Sequence, residues 1–246
     1  MPLIESRYVS IPGGRILYDA AQVRKADDEL LDPAFWSLRG RARGVEGGRG
    51  SLARIRDQDR DWALRHYLRG GFVARWVHDR YWWSGEERTR SFREWRLLAR
   101  LRELDLPVPS PVAARYVRSG WTYTADLITA WIPETITLAS AFVRSNLEEP
   151  VWQEIGRTIA RFHLHGVHHP DLNAHNLLIA AEGASPHIYI LDFDRGRIRE
   201  RGAWERQVLA RLHRSLHKIS AHEGRSFDER QWQWLEAGYA ASAGAS

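Results

Sequence analysis

The chain has 246 residues, of which 27% are charged and 43% hydrophobic, a formal net charge of +5 and no cysteine. Such a length suits one large domain or two lobes burying roughly 70–75% of the unfolded surface, and the missing cysteines exclude disulfides and thiolate metal sites. No apolar run approaches the ~18 residues of a membrane span, and Met-Pro-Leu-Ile-Glu-Ser-Arg at the amino terminus is not a signal-peptide pattern; a soluble, intracellular protein is expected, with a basic surface that favours an anionic partner.

Up to residue 45 the chain mixes strand-like pieces, such as Arg15-Ile16-Leu17-Tyr18, with an acidic, proline-containing stretch over 26–36 that reads as a short helix and loop. A glycine-rich turn over 44–51 leads into a strand at 52–56, a polar turn at 57–61 and a further strand at 62–69, the third of the sheet half. Trp62, Leu64, His66 and Leu68 share one face of that strand, and Ala63, Arg65, Tyr67 and Arg69 the other. The spacing of Phe92, Trp95 and Ala99 predicts a helix over 86–103 with Glu94 in its middle, ended by Leu106-Pro107-Val108-Pro109. Strands over 112–117 and 121–131 around Ser119-Gly120 close a mostly antiparallel sheet, and Ile132-Pro133 reads as a linker. Val151, Ile155 and Ile159 then recur at helical steps over 150–166, with a proline at the start and a glycine at the end. Leu177-Leu178-Ile179 and the run 188–191 flank a turn of small residues and read as a hairpin. Helices over 204–220 and 227–241 follow. The expected class is α+β, a two-lobe fold with a small antiparallel-sheet N-lobe over 1–131 and a reduced helical C-lobe over 132–246.

The chemistry concentrates in His169-Pro170-Asp171-Leu172-Asn173-Ala174-His175-Asn176 and, after the hairpin, Leu191-Asp192-Phe193-Asp194. Phosphoryl transfer asks a protein to position an acceptor hydroxyl and to neutralise charge on phosphate oxygens. Asp171 suits the general base, and Asn176 and Asp192 offer the hard oxygen ligands that Mg2+ prefers beside ATP. The pattern therefore points to a kinase, with His169 in a supporting role that holds backbone shape. Asp194 assists the metal or caps a turn. His163, His165, His168 and His175 crowd the same region, but the oxygen set favours magnesium over zinc.

A phosphate site also needs a cover and a cation. Gly47, Gly48, Arg49 and Gly50 supply the cover, because residues without Cβ let backbone amides approach phosphate closely. Kinases commonly pair a strand lysine with a helix glutamate; here all but Lys25 and Lys218 of the 36 basic residues are arginine, and neither lysine lies in a suitable strand. Arg65 is the expected substitute, paired with Glu94, and its planar fork rules out a simple copy of a lysine site. Ala130, Trp131 and Ile132 complete the expected nucleotide-binding set.

Pro170 stands where phosphorylation-regulated protein kinases carry arginine, and no Ala-Pro-Glu-like segment follows Asp194 within the short remaining stretch, so a small or lipid-linked acceptor is expected rather than a protein. At these residues the chain resembles the lipopolysaccharide core kinases, in particular their branch acting on 3-deoxy-D-manno-octulosonic acid (Kdo). The resemblance rests on Gly48-Arg49-Gly50, Leu64-Arg65-His66-Tyr67 running into Arg69-Gly70-Gly71, Ala125-Asp126-Leu127-Ile128-Thr129, the run 169–176 and Leu191-Asp192-Phe193-Asp194-Arg195-Gly196.

The resemblance implies a protein-kinase-like fold and ATP-dependent phosphorylation of a Kdo hydroxyl, the 4-OH, on Kdo-lipid IVA, with Asp171 as the catalytic aspartate, by a peripheral protein at the cytoplasmic face of a Gram-negative inner membrane. Arg75, Trp76, Arg80, Tyr81, Trp82 and Trp83 then suit contact with that anionic membrane, at least two of the aromatics being expected to pack beneath the neighbouring helix instead. No nucleic-acid motif is present, and no feature calls for an obligate protein partner. Two rivals remain: a kinase of the aminoglycoside or choline type, with a cationic acceptor, and a nucleotide-binding pseudokinase scaffold.

Overall fold

The computed structural model describes residues 4–44, 52–68, 79–182, 185–224 and 226–243. They fall into two compact units, residues 1–103 with 109–131, and residues 104–108 with 132–246. The short 104–108 segment belongs with the second unit because its backbone is tied there: Ile190 N–H donates to Pro107 O at 3.0 Å, and Arg161 to Asp105 O at 2.9 Å.

The first unit is an antiparallel sheet in the order β1 (Ser6–Ile11), β2 (Gly14–Asp19), β7 (Pro111–Ser119), β8 (Thr122–Ala130), β5 (Arg60–His66), β4 (Leu52–Asp57) and β3 (Ala42–Gly44), with β6 (Tyr81–Trp82) pairing β8. Two-residue alternation gives each strand an inner set for either face. Ile16, Ile55, Trp62, Leu64, Val112, Ala113 and Ile128 pack with Leu30, Leu31 and Trp36 of a short 3₁₀ turn and α1 (Pro33–Leu38). Aspartates start both short helical pieces: Asp27 accepts from Leu30 N–H at 3.3 Å and Asp32 from Ala34 N–H at 2.9 Å, satisfying amides that have no intrahelical partner. Helix α2 (Arg90–Glu103) buries Phe92, Glu94, Trp95, Leu98 and Leu101, and the alternation that sends Leu64 into the first core sends Arg65 toward α2. Arg65 thus lies on the fifth strand in chain order, not the third, because the β1–β2 hairpin and β3 precede it.

The second unit is mainly helical: α3 (Leu138–Arg144), α4 (Glu149–Leu164), α5 (Trp204–His222) and α6 (Glu229–Ala243), with a three-stranded sheet in the order β12 (Ser185–Ile190), β11 (Leu177–Glu182), β9 (Thr135–Thr137). Helices α4 and α6 meet at two glycines. A Cβ on Gly156 would stand 2.0 Å from Leu235 O, and one on Gly238 2.0 Å from Gln153 O, so the backbones touch where side chains would hold them apart. A two-stranded pairing of β10 (Val167–His168) with β13 (Arg197–Ile198) ties the chain before His169 to the chain after Asp194. Gly166 opens it with φ +68°, and an added Cβ would lie 2.2 Å from Arg199 O. No helix among the described residues is long and apolar enough to cross a membrane.

Candidate functional site

In the helical unit the 169–176 segment is a loop closed by a 3₁₀ turn, Ala174–Asn176. Asn173 starts that turn by accepting from His175 N–H at 2.9 Å. Two side-chain amides converge on one carbonyl: Asn173 Nδ2 and Asn176 Nδ2 donate to Asp171 O at 2.8 and 3.2 Å. With its nitrogen spent on this bond, Asn176 has Oδ1 to act as a ligand. Leu191 N–H donates to Asn176 O at 2.9 Å, which sets Asp192 beside the loop. Asp192 is exposed and holds φ +63°, a left-handed conformation that aspartate and asparagine tolerate better than most residues.

His169 is buried, and burial pushes its pKa down, so the ring is neutral. Its Nε2 lies 2.9 Å from Leu191 O, which fixes Nε2 as the protonated nitrogen, and its edge meets the Phe193 ring at 4.8 Å. Phe193 in turn stacks on Phe162 at 5.9 Å. His169 therefore fastens the backbone just before Asp192 to the loop that carries Asp171.

The Asp171 carboxylate is 39% exposed and faces two arginines: Arg211 of α5 at 2.8 Å from Oδ1, and Arg195 at 3.9 Å from Oδ2. Helix α5 also supports the loop through Ser215 Oγ, which accepts from Ala174 N–H at 3.2 Å. Sequence reasoning missed Arg211 and Ser215. Their only signal is the one-turn spacing beside the apolar stripe Val208, Leu212, Leu216. The neighbouring histidines disperse: His163 bonds Tyr239 at 2.8 Å, and His168 lies 3.4 Å from Arg197.

In the sheet unit the structure brings Arg65 and Glu94 together as an ion pair, with the Glu94 side chain only 2% exposed. A third member was not expected. Tyr67, on the same face of the chain as Arg65, donates to Glu94 at 2.5 Å and accepts from Arg65 at 3.0 Å, while the guanidinium stacks 4.6 Å over its ring. Burial first, then the Glu94 charge, drives the Tyr67 pKa well up, so the hydroxyl stays protonated and donating. A second polar cluster lies on β5, β7 and β8. Buried Asp126 accepts from Arg115 at 2.9 Å and contacts His66 Nδ1 at 2.7 Å, and that bond raises the His66 pKa.

Gly47, Gly48, Arg49 and Gly50 lie outside the described residues, as do Arg75 and Trp76. Ala130 and Trp131 commit their N–H groups to Ser110 O and Asp61 O, at 2.8 and 2.9 Å, and Ile132 O accepts from Thr135 at 3.0 Å. Buried Tyr81 packs on Tyr123 at 5.6 Å and half-buried Trp83 on Tyr116 at 5.1 Å, so these two aromatics pack against the sheet rather than under the helix alone. Trp82 is 71% exposed, and Trp121, whose carbonyl accepts from Trp83 N–H, is 78% exposed.

A model of the lipopolysaccharide kinase (Kdo/WaaP) family matches residues 33–239. A 3-deoxy-D-manno-octulosonic acid kinase of Stenotrophomonas maltophilia (strain K279a) is 43% identical over 92% of this chain and 89% of the relative. One of the same description from Xylella fastidiosa (strain 9a5c) is 42% identical, again over 92% and 89%. Among solved structures, WaaP in complex with acyl carrier protein aligns over 85% of this chain and 82% of that chain, with a TM-score of 0.54 at 16% identity, a likeness of fold that makes the architecture protein-kinase-like.

Proposed function

This chain belongs to the lipopolysaccharide kinase (Kdo/WaaP) family and is an ATP-dependent kinase, and on that premise we propose that its acceptor is the 4-OH of Kdo in Kdo-lipid IVA, phosphorylated during inner-core assembly. Asp171 takes the acceptor proton, and His169 holds the loop that presents it. Asn176 and Asp192 would hold Mg2+, which supplies charge neutralisation on the phosphate oxygens; an amide oxygen and an exposed carboxylate are the hard donors that ion accepts. Arg65 serves in place of the usual lysine, held by Glu94 and Tyr67. Gly47, Gly48, Arg49 and Gly50, with Ala130, Trp131 and Ile132, bind the nucleotide. The sheet unit, to residue 131, is assigned as N-lobe and the remainder as C-lobe.

The observation that carries the acceptor class is the pair of arginines at the reacting carboxylate. Arg211 and Arg195 flank Asp171, and a sugar acid brings a carboxylate that guanidinium groups bind through a planar fork. A cationic acceptor of the aminoglycoside or choline type would be repelled there. A pseudokinase scaffold would not need Asp171, Asn176 and Asp192 together.

The exposed pair Trp82 and Trp121, with Arg80 and Arg118 nearby, supports peripheral contact with the anionic cytoplasmic face of the inner membrane, where each basic residue contributes about 1 kcal/mol. Sedimentation with anionic vesicles that Trp82→Ala/Trp121→Ala leaves unchanged would refute this contact. The acceptor is tested with labelled ATP, magnesium and a panel of Kdo-lipid IVA, an aminoglycoside and a generic protein, followed by phosphorus–proton NMR of the product. Transfer confined to the Kdo glycolipid, with the phosphate on O4, is expected; transfer to the aminoglycoside instead would overturn the assignment.

A further inference from the structure

His213 and His217 stand one turn apart on α5, and Glu229 is the first residue of α6. Their ligand atoms converge. His213 Nε2 lies 3.1 Å from one Glu229 carboxylate oxygen, His217 Nε2 lies 3.0 Å from the other, and the two nitrogens are 3.2 Å apart. No other set of three histidine or carboxylate ligands among the described residues meets in this way.

Protons serve this triangle poorly. Each Nε2 carries either one proton or one lone pair. If one ring donates to the other, the accepting nitrogen turns its lone pair on a carboxylate oxygen; if both donate to Glu229, two N–H groups crowd at 3.2 Å. A divalent cation satisfies all three contacts at once. Ligands about 2.0–2.1 Å from a tetrahedral zinc stand roughly 3.3 Å from one another, close to the 3.2 Å between the two nitrogens and to the 3.1 and 3.0 Å from each nitrogen to its own Glu229 oxygen. Histidines four residues apart on one helix face are a spacing that zinc uses, and imidazole with a single carboxylate selects zinc over magnesium.

The surroundings resemble a built pocket on one side and an opening on the other. The Phe227 ring lies 5.7 Å from His213 and 5.0 Å from His217, and Trp232 lies 4.5 Å from His213. The side chains of His217 and Glu229 are 48% and 56% exposed, which leaves an entry path and a fourth position for water.

We propose that His213, His217 and Glu229 bind one zinc ion that clips α5 to α6. The clip has a consequence for the loop described above. Arg211 and Ser215 lie between and beside the two histidines on α5, and they are the side chains that contact Asp171 and the Ala174 amide. Fixing α5 against α6 therefore fixes the helix that supports the 169–176 loop.

The test uses the full, tag-free chain stripped with a chelator and titrated with zinc, read by calorimetry and by thermal unfolding. One equivalent is expected to bind, and the midpoint is expected to rise with zinc concentration, as it does for any ligand that prefers the folded state. Cobalt at the same site should show the intense visible bands of a tetrahedral ion. His213→Ala/His217→Ala should weaken zinc binding by more than the ~10- to 100-fold that loss of an outer-shell partner costs, while melting as the stripped wild type does. Glu229→Gln, which keeps size and helix start, provides the same comparison should the double variant fail to fold. Absence of a stoichiometric site, or binding that survives both variants, would overturn the proposal.

Discussion

The two units treat their acids in opposite ways. In the sheet unit Glu94 and Asp126 are nearly inaccessible, at 2% residue exposure each, and both oxygens of Asp126 are engaged by Arg115 and His66. In the helical unit Asp171 keeps 39% of its side chain exposed and Asp192 is open to solvent. A buried carboxylate with fixed cationic partners is a scaffold whose removal strands a charge. An accessible one can meet a substrate. The sheet unit uses these buried charges to hold its geometry, while the helical unit keeps Asp171, paired with Arg211 and Arg195, and Asp192 where a substrate can reach them.

The largest stability effect should come from breaking the sheet unit's hold. Glu94→Ala leaves the Arg65 guanidinium and the Tyr67 hydroxyl without their shared acceptor, and about 3–5 kcal/mol of unfolding free energy should be lost in a urea titration. Glu94→Gln, which keeps an acceptor for Tyr67, should lose less. Equal losses from the two would mean that the charge of Glu94 does not matter.

Histidine titration should separate the units by sign. In the helical unit burial lowers the His163 pKa to about 4 from 6.5. Between those values the unfolded chain binds a proton that the folded chain refuses, so stability falls as pH drops through the window, by on the order of 3 kcal/mol in full. His163 Nδ1–H donates to Tyr239, whose hydroxyl is itself committed to Glu205, and burial holds the ring neutral. In the sheet unit the bond to Asp126 raises the His66 pKa, so its contribution is complete below the ordinary histidine value and disappears as pH rises through the raised one. Proton NMR should find His66 titrating above 6.5 and His163 below it; the reverse order would refute the contrast.

A smaller effect should follow from packing. Gly156→Ala or Gly238→Ala drives a methyl group into the backbone of the facing helix, and the two helices must separate, at about 1–3 kcal/mol. Thermal midpoints unchanged by both substitutions would show that α4 and α6 do not approach through these glycines.

Much of this was legible in the sequence where the signal is local. The periodicity of Val151, Ile155 and Ile159 locates α4, the apolar runs around the small-residue turn locate β11 and β12, and alternation in β5 puts Arg65 on the face opposite Leu64. The shortage of lysine singles out Arg65. What escaped depends on partners distant in sequence. Helix α3 is only seven residues long and carries too few turns for a periodic signal, although Thr137 caps it by accepting from Ser140 N–H at 3.1 Å. The β10–β13 pairing has two residues on each side and no pattern of its own. Tyr67 was placed beside Arg65 but not in its network, because alternation gives a face and not a contact. Arg211 and Ser215 reach the loop only because of how α5 docks, which its own periodicity does not encode.

The contrast between holding and reacting is tested most directly by Asp171→Asn, measured for both transfer rate and stability. The substitution keeps the side chain's size while removing its negative charge, and with it both the capacity to accept a proton and the half-exposed ion pairs with Arg211 and Arg195. Transfer of labelled phosphate to Kdo-lipid IVA is expected to fall by the ~10²- to 10⁴-fold typical of a lost general base, with the thermal midpoint within about 2 °C of wild type. Near wild-type transfer, or a collapse of stability comparable with that of Glu94→Ala, would contradict the account.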